Sequence, residues 1–125
     1  MNLVDSSAWL EYFADGANAG FFGPAIENTA ELIVSTINVY EVFKRVLQQR
    51  DESAALRAVA AMEQGRLIEV GERVALHAAQ LALQHRLPMA DAMILATARA
   101  YGATLWTQDA DFDGIEGVRY RAKRV

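Results

Sequence analysis

Four acidic residues occupy positions where their side chains could do chemistry: Asp5, Glu41, Asp91 and Asp109. Two of them, Asp5 and Asp109, each follow a short apolar run that predicts a strand. The other two lie near the starts of apolar helical patterns. Ligands of an α/β sheet gather beyond the carboxyl ends of its strands, so two of these acids point at that crevice. Clustered carboxylates repel one another unless a cation neutralises them, and an all-oxygen site suits a hard ion such as Mg2+.

Each acid also has an explanation that needs no function. Asp5 could cap the helix that follows it. Asn38, followed three residues later by Glu41, resembles a capping box. Asp91 in the first turn of a helix would interact favourably with the helix dipole, and Asp109 could form a turn after its strand. All four explanations would have to hold while the predicted sheet brings the acids to one edge, and this convergence favours a site.

The acidic loop near the C-terminus has one specific alternative, a calcium site. Asp109, Asp111 and Asp113, followed by Gly114, begin like an EF-hand loop. The twelfth position is Tyr120, where such a loop needs a bidentate Glu, and a strand precedes the run where an EF-hand has a helix. Calcium is therefore the weaker alternative.

Apolar periodicity and turn residues divide the chain into alternating strands and helices. Strands are predicted at residues 2–5, 32–34, 67–70 and 104–107, with a fifth at 118–122. Helices are predicted at residues 6–14, 35–50, 51–64, 72–86 and 88–101. The segment 18–29 is ambiguous, and Pro24 could open a short helix there. Short apolar strands alternating with helices predict an α/β fold whose parallel sheet is covered by helices on both sides.

The predicted helix 35–50 carries one apolar stripe, which is formed by Ile37, Tyr40, Phe43 and Leu47. Such a stripe could pack into the core or bury a partner helix, and the sequence leaves both explanations open.

Composition indicates one globular domain, residues 1–125, with 53% hydrophobic and 22% charged residues. The chain has no cysteine, which excludes disulfides, a thiolate nucleophile and a Cys-based zinc site. No apolar run approaches the ~20 residues of a transmembrane helix, and the N-terminus lacks the pattern of a signal peptide. We therefore expect a cytoplasmic protein with no membrane association.

The net charge is −4, whereas proteins that bind nucleic acid non-specifically are usually basic. Any positive charge used for binding would have to be confined to a patch. In an extended C-terminal segment, Arg119, Arg121 and Lys123 would share one face. That face could be a basic rim, with Lys44 and Arg45 as further candidates, or a charged edge strand that deters unwanted pairing.

Four segments carry the acids in order: residues 3–7 (LVDSS), 35–41 (STINVYE), 88–92 (PMADA) and 107–112 (TQDADF). Together they resemble the PIN domain, specifically the VapC-type toxin of bacterial and archaeal toxin–antitoxin pairs. The resemblance implies a three-layer α/β/α sandwich around a mostly parallel sheet of four or five short strands. It also implies an endoribonuclease that hydrolyses RNA phosphodiester bonds with Mg2+ or Mn2+ and an activated water.

The same resemblance implies roles for particular residues and partners. The catalytic, metal-binding acids would be Asp5, Glu41, Asp91 and Asp109, with Asp5 and Asp91 as the surest metal ligands. The residues supporting them would be Ser6, Asn38, Thr107 and Asp111. The protein would be a homodimer that binds RNA as substrate, inhibited by a cognate antitoxin whose tail fills the active-site groove.

Two other functions are open at this point. A phosphoryl-receiver domain would want a Lys after a late core strand, and the only lysines, Lys44 and Lys123, do not follow one. A non-catalytic PIN-like module that binds RNA or a partner would be expected to lose an acid, whereas this chain keeps all four. Titration with Mg2+ separates the last possibility from a nuclease, because a binding module would gain no cleavage.

Overall fold

The computed structural model describes residues 1–124, which form one sheet with helices on both sides. The strands are β1 (Asn2–Val4), β2 (Leu32–Ser35), β3 (Arg66–Ile68), β4 (Thr104–Thr107) and β5 (Val118–Tyr120). The helices are α1 (Ser6–Phe13), α2 (Ala19–Glu27), α3 (Thr36–Gln49), α4 (Glu52–Met62), α5 (Glu72–His85) and α6 (Met89–Ala100). Short 3-10 turns span Thr29–Glu31 and Ala110–Phe112. Within residues 1–124, no helix combines the length and the apolar character needed to cross a membrane.

All the strand pairs are parallel, and the strand order is β3-β2-β1-β4-β5. In the central strand, Leu3 lies opposite Ile33 on one side and Leu105 on the other. The chain winds from β1 outward to β3 and then returns to place β4 and β5 on the opposite side. The order therefore reverses between β1 and β4, and the carboxyl ends of these two strands form the crevice where α/β proteins bind ligands.

Two separate cores lie on the two faces of the sheet, which confirms the predicted α/β/α sandwich. Successive residues of a strand point to opposite faces, so Leu3 and Val4 belong to different cores. Val4 packs with Trp9 and Phe22 in the layer that holds α1 to α4. Leu3 packs with Leu95 in the layer that holds α5 and α6. Both layers thus fix the position of β1, whose carboxyl end carries Asp5.

The ambiguous segment 18–29 contains α2, and Pro24 lies inside this helix rather than opening it. Phe22 and Ile26 are buried in the core. Burial of two large side chains, each stabilising by roughly 1.5–3 kcal/mol, offsets the low helix propensity of the glycines and of Pro24.

The start of α3 differs from the predicted capping box. Ser35 is the N-cap: its hydroxyl accepts the N–H of Ile37 at 3.1 Å, while Asn38 Oδ1 accepts the N–H of Ser35 at 3.2 Å. The capping box that paired Asn38 with Glu41 is therefore wrong, because the helix begins one turn earlier. Glu41 is left free for another partner.

The apolar stripe predicted on α3 is divided between the core and the surface. Tyr40 is 63% exposed and Leu47 is 43% exposed, whereas the buried residues of the helix are Asn38 and Val42. Ile37 packs against the core that contains Leu3, and Phe43 is half-buried, so core packing explains only part of this stripe. The third strand also differs slightly, since β3 pairs with β2 through Ile68 and does not continue to residue 70.

A candidate active site at the carboxyl edge of the sheet

The first acid, Asp5, is held between the two central strands. Its N–H donates to the carbonyl oxygen of Trp106 at 2.8 Å, which fixes the end of β1 against β4. Asp5 stands at the N-cap of α1, but its side chain makes no capping hydrogen bond. The capping explanation for this carboxylate is therefore not supported.

The Asp5 carboxylate is buried, 3% exposed, and is oriented by two hydroxyls. Ser7 Oγ and Thr107 Oγ1 both donate to Asp5 Oδ2 at 2.8 Å. The hydrogen bonds within residues 1–124 leave Oδ1 without a side-chain donor. Burial raises the pKa of Asp5 from 3.8 to about 6, although the bonds from Ser7 and Thr107 lower it. The two hydroxyls thus anchor Oδ2, and no side chain within residues 1–124 occupies Oδ1.

Glu41 is joined to α1 by a partly buried relay of hydrogen bonds. Asn38 Nδ2 donates to Ser6 Oγ at 2.9 Å, and Ser6 Oγ donates to Glu41 Oε1 at 2.7 Å. Because the amide already donates to the Ser6 oxygen, the Ser6 hydroxyl proton is directed at the carboxylate. The Asn38 side chain is itself fixed by the N–H of Ser35. The start of α3 therefore sets the orientation of Glu41.

Three further carboxylates lie close together where β4 ends and α6 begins. One oxygen from each of Asp91, Asp109 and Asp111 lies within 4.8 Å of the others. Asp109 Oδ1 accepts the N–H of Asp111 at 2.9 Å, and the N–H of Asp109 donates to Thr107 Oγ1 at 2.9 Å. Thr107 thus touches both Asp5 and the loop that carries Asp109. The structure places Asp111 in this group, whereas the sequence suggested only a supporting position.

Asp91 has the most perturbed ionisation in this region. Its pKa is raised from 3.8 to about 7, first by burial and then by neighbouring carboxylates. The contributing charges are, in decreasing order, those of Asp5, Asp109, Glu41 and Asp111. All four predicted acids, together with Asp111, are therefore close enough to interact electrostatically. Burial and this repulsion both favour the protonated form of Asp91, whereas a bound cation would favour the carboxylate.

The donor set fits a hard divalent cation. The groups that converge on Asp91 are carboxylates, which are the ligands that Mg2+ and Mn2+ prefer. A bound ion would remove the repulsion that raises the pKa of Asp91. The calcium-loop alternative gains no support, because a 3-10 turn occupies residues 110–112 and Asp113 lies outside the group of three.

A second buried polar contact braces the loop between β4 and Asp109. Asn18 Nδ2 donates to Gln108 Oε1 at 3.1 Å and to the carbonyl oxygen of Ala122 at 3.0 Å. Gln108 Nε2 donates to the carbonyl oxygen of Ser7 at 3.4 Å. Asn18, Gln108 and the bond from Ser7 to Asp5 were not predicted from the sequence. Only the position of Ser7, two residues beyond a strand-end acid, offered a signal.

Comparison with known proteins agrees with this architecture. The profile of the PIN domain family matches residues 3–118. The chain belongs to the PIN domain family. The resemblance to the PIN domain is thereby confirmed, and solved structures share its fold. A comparison with curated protein sequences gives no match.

Among solved structures, a toxin–antitoxin complex from Klebsiella pneumoniae is 25% identical to this chain, with a TM-score of 0.78. The alignment covers 95% of this chain and 96% of that one. VapC20 of Mycobacterium tuberculosis, described as a toxin that cleaves the sarcin-ricin loop, is 20% identical with a TM-score of 0.76, over 93% and 95% of the two chains. VapBC2 of Rickettsia felis, solved with a promoter DNA fragment, is 13% identical with a TM-score of 0.73, over 97% of each chain. At 20% and 13% identity, the last two establish the shared fold alone.

Proposed function

We propose that this PIN domain, residues 1–125, is a metal-dependent endoribonuclease that acts as the toxin of a toxin–antitoxin pair. The observation that carries the proposal is the half-buried Asp91, whose pKa is raised to about 7 by burial and by four other carboxylates at the switch point of the sheet. A carboxyl group whose pKa is strongly raised in a crevice marks a candidate functional site, and a bound cation would stabilise its charged form. Similarity to the Klebsiella pneumoniae toxin–antitoxin complex supports the toxin role.

We assign each acid a role from its position in the site. Asp91, Asp109 and Asp111 converge within 4.8 Å and would hold Mg2+ or Mn2+. Asp5 would add Oδ1, which accepts no side-chain hydrogen bond within residues 1–124, and Glu41 would be the fifth carboxylate of the site. When bound, the metal would neutralise the scissile phosphate and activate a water for hydrolysis of the phosphodiester bond.

The remaining polar residues keep these oxygens in place. Thr107 holds Asp5 and the Asp109 loop together, while Asn38 and Ser6 direct a proton at Glu41. Each orienting hydroxyl occupies one oxygen of its carboxylate and leaves the other to the site. Partners of this kind typically change metal affinity or activity by about 10–100-fold when they are removed.

The proposed protein partners are a cognate antitoxin and a second copy of this chain. Leu76 and Leu83 lie seven residues apart on one face of α5, and they are 64% and 87% exposed. Tyr40 and Leu47 expose a second apolar face on α3. Exposed apolar surface of this extent favours protein contacts, and we assign the α5 face to the homodimer.

The decisive experiment is a cleavage assay on structured RNA with Mg2+, with Mn2+ and with EDTA. Wild-type protein should cleave with metal and not with EDTA, and Asp91→Asn and Asp5→Asn should each abolish cleavage. Asp113→Asn is the matched control, because it removes an acid from the same loop outside the group of three. Metal-independent cleavage, or full activity of Asp91→Asn, would contradict the proposed function. Folded, metal-binding protein that never cleaves RNA or arrests growth would instead be the non-catalytic binding module.

A further inference from the structure

A groove of about 760 Å³ opens beside the acidic site. Its walls come from α1, α3, α4 and the C-terminal segment, and one end reaches Ser7, Gln108 and Asp109. The floor is apolar and is formed by Leu10, Phe13, Ala14, Val46, Ala54 and Ala58. The groove therefore leads from the helical layer directly to the carboxylates that would hold the metal.

Four cationic side chains line this groove: Arg45, Arg50, Arg57 and Lys123. All four are exposed. Within residues 1–124, the only ion pair at 4.0 Å or less joins the N-terminus to Glu31, so these cations have no carboxylate partner. Arg57 makes one side-chain hydrogen bond, from Nη1 to Ser53 Oγ at 2.7 Å. Since surface charges of this kind contribute little to stability even when paired, these four are free to bind an anion.

Besides Asp109, one other acid lines the groove, Glu11, and its carboxylate already accepts a hydrogen bond. Glu11 Oε2 accepts the N–H of Asn18 at 2.8 Å, so this carboxylate belongs to the turn between α1 and α2. The groove is therefore lined by four cations and two carboxylates, and one of these carboxylates, Asp109, lies at the end that reaches the acidic site. In a chain of net charge −4, this concentration of positive charge is local.

The other cations suggested from the sequence stack on aromatic rings instead. Arg119 lies over the ring of Trp106, with 5.0 Å to its centroid, and Arg121 lies over that of Phe21 at 4.1 Å. Lys44 lies over the ring of Tyr40 at 5.7 Å. Of the five predicted rim residues, only Arg45 and Lys123 line the groove. Arg50 and Arg57 were missed because no short-range pattern relates α3 and α4 to the acids.

We propose that this groove binds the phosphodiester backbone of the RNA strand that flanks the scissile bond, through Arg45, Arg50, Arg57 and Lys123. The inference rests on the proposed function and deepens it by naming the surface along which substrate approaches. A nucleic-acid backbone is the occupant that the charges favour, because the scissile phosphate must reach the carboxylate end while neighbouring phosphates need cations. Backbone contacts would set the position of the strand without reading its sequence.

The apolar floor is consistent with a single-stranded segment. Phe13 is 37% exposed, and its ring stacks on Trp9 with centroids 5.5 Å apart and planes 28° apart. The ring is thus braced on one side by a buried indole while part of it remains accessible. An unpaired base can stack on such a ring, and this interaction tolerates any base.

The test compares two double variants of equal charge change. Arg50→Gln with Arg57→Gln removes two groove cations, and Arg73→Gln with Arg86→Gln removes two exposed cations near the ends of α5, in the opposite layer. Binding of a fluorescein-labelled RNA hairpin and of a labelled single strand is followed by anisotropy in EDTA over a range of salt. Each lost phosphate contact should reduce the slope of log affinity against log salt by about 0.7–0.9. The groove variant should therefore lose roughly 1.5 from the slope, and the control should keep it.

Equal slopes for wild type and the groove variant would overturn the proposal and leave the groove to a protein partner. Because binding is measured without metal, the result does not depend on catalysis. A reduced slope in protein that never cleaves RNA would retain the groove assignment and reject the nuclease. Conversely, if the wild type cleaves RNA and the groove variant keeps the wild-type slope, only the assignment of the groove to RNA is rejected. Thermal unfolding of both double variants checks that the exposed substitutions leave the fold intact.

Discussion

Ser6 donates a hydrogen bond of 2.7 Å to Glu41 Oε1, although the two residues lie 35 positions apart on α1 and α3. The bond is directional, because Asn38 Nδ2 occupies the acceptor side of the same hydroxyl at 2.9 Å. A carboxylate held in this way presents its second oxygen in a fixed direction. The relay therefore connects the helix after β1 with the helix after β2, the two elements that bring Asp5 and Glu41 together.

Ser6→Ala should weaken metal use without unfolding the protein. Loss of the hydroxyl frees the Glu41 side chain and leaves Asn38 Nδ2 without its acceptor. The Mg2+ concentration that gives half-maximal cleavage should rise by about 10–100-fold, as is typical when a group that orients a ligand is lost. Thr29→Ala, which removes an exposed hydroxyl, serves as the control. An unchanged metal dependence in Ser6→Ala would show that Glu41 needs no orientation.

Asp111→Asn should also raise the metal requirement, whereas Asp113→Asn should not. The two acids are two positions apart and both exposed, but only Asp111 lies within 4.8 Å of Asp91 and Asp109. Isothermal titration with Mn2+ compares the two variants directly, independently of cleavage. If both variants bind Mn2+ like the wild type, Asp111 is not a ligand and the metal relies on the deeper acids.

Stability of the metal-free protein should fall as the pH rises through the range set by Asp91. Below about pH 4, the carboxyl is protonated in both the folded and the unfolded chain, and it contributes no penalty. Between about pH 4 and pH 7, the unfolded chain releases a proton that the folded protein retains, because the folded pKa is raised to about 7. Asp5 acts in the same direction up to about pH 6. The free energy of unfolding therefore decreases over this range.

Asp91→Asn should remove much of this pH dependence. In EDTA, its Tm should approach that of the wild type near pH 4 and exceed it near pH 8. The uncharged amide avoids both the cost of burying a charge and the repulsion by neighbouring carboxylates. Added Mg2+ at pH 8 should raise the Tm of the wild type more than that of the variant. Asp113→Asn should follow the wild type at both pH values. A Tm difference that does not change with pH would contradict the assignment of the raised pKa to Asp91.

The sequence predicted the layers of the fold because its strong patterns are local. Strands such as 104–107 are short apolar runs with clear boundaries, and their alternation with helices requires a parallel sheet. The position of Asp5 and Asp109 at one edge follows from that topology alone. What the sequence could not provide was contact between distant segments, such as the bond from Ser6 to Glu41.

The two predictions for α3 that differ from the structure, its N-cap and its buried face, have local causes. Ser35 and Asn38 are both good N-cap residues, and only the helix start in the structure decides between them. Tyr40 follows the helical period of Ile37, yet it is 63% exposed because α3 turns its Asn38 and Val42 side inward. The buried polar side of α3 serves the site, so a rule that places apolar residues inside fails at the functional position.

Leu83→Lys should convert the proposed homodimer to a monomer. Leu83 is 87% exposed, so the substitution should change the fold little while placing a charge on the α5 face that also carries Leu76. Leu56→Lys is the matched control, because Leu56 is 53% exposed on α4 in the other helical layer. Sedimentation velocity at several concentrations reads the oligomeric state. A wild-type monomer, or a dimer that survives Leu83→Lys, would remove α5 as the interface.

Gln108→Ala should lower stability through the loop that carries Asp109. Loss of the Gln108 side chain removes one of the two acceptors of Asn18 Nδ2. Asn18 is 1% exposed, and a buried donor left without an acceptor costs about 1–3 kcal/mol. Urea unfolding should show a decrease of that size, and Gln84→Ala, at an exposed site on α5, should show almost none. In a double-mutant cycle, Asn18→Ala should cost less in the Gln108→Ala background than in the wild type, because the shared bond is already lost. Additive effects would mean that the two side chains stabilise the loop independently.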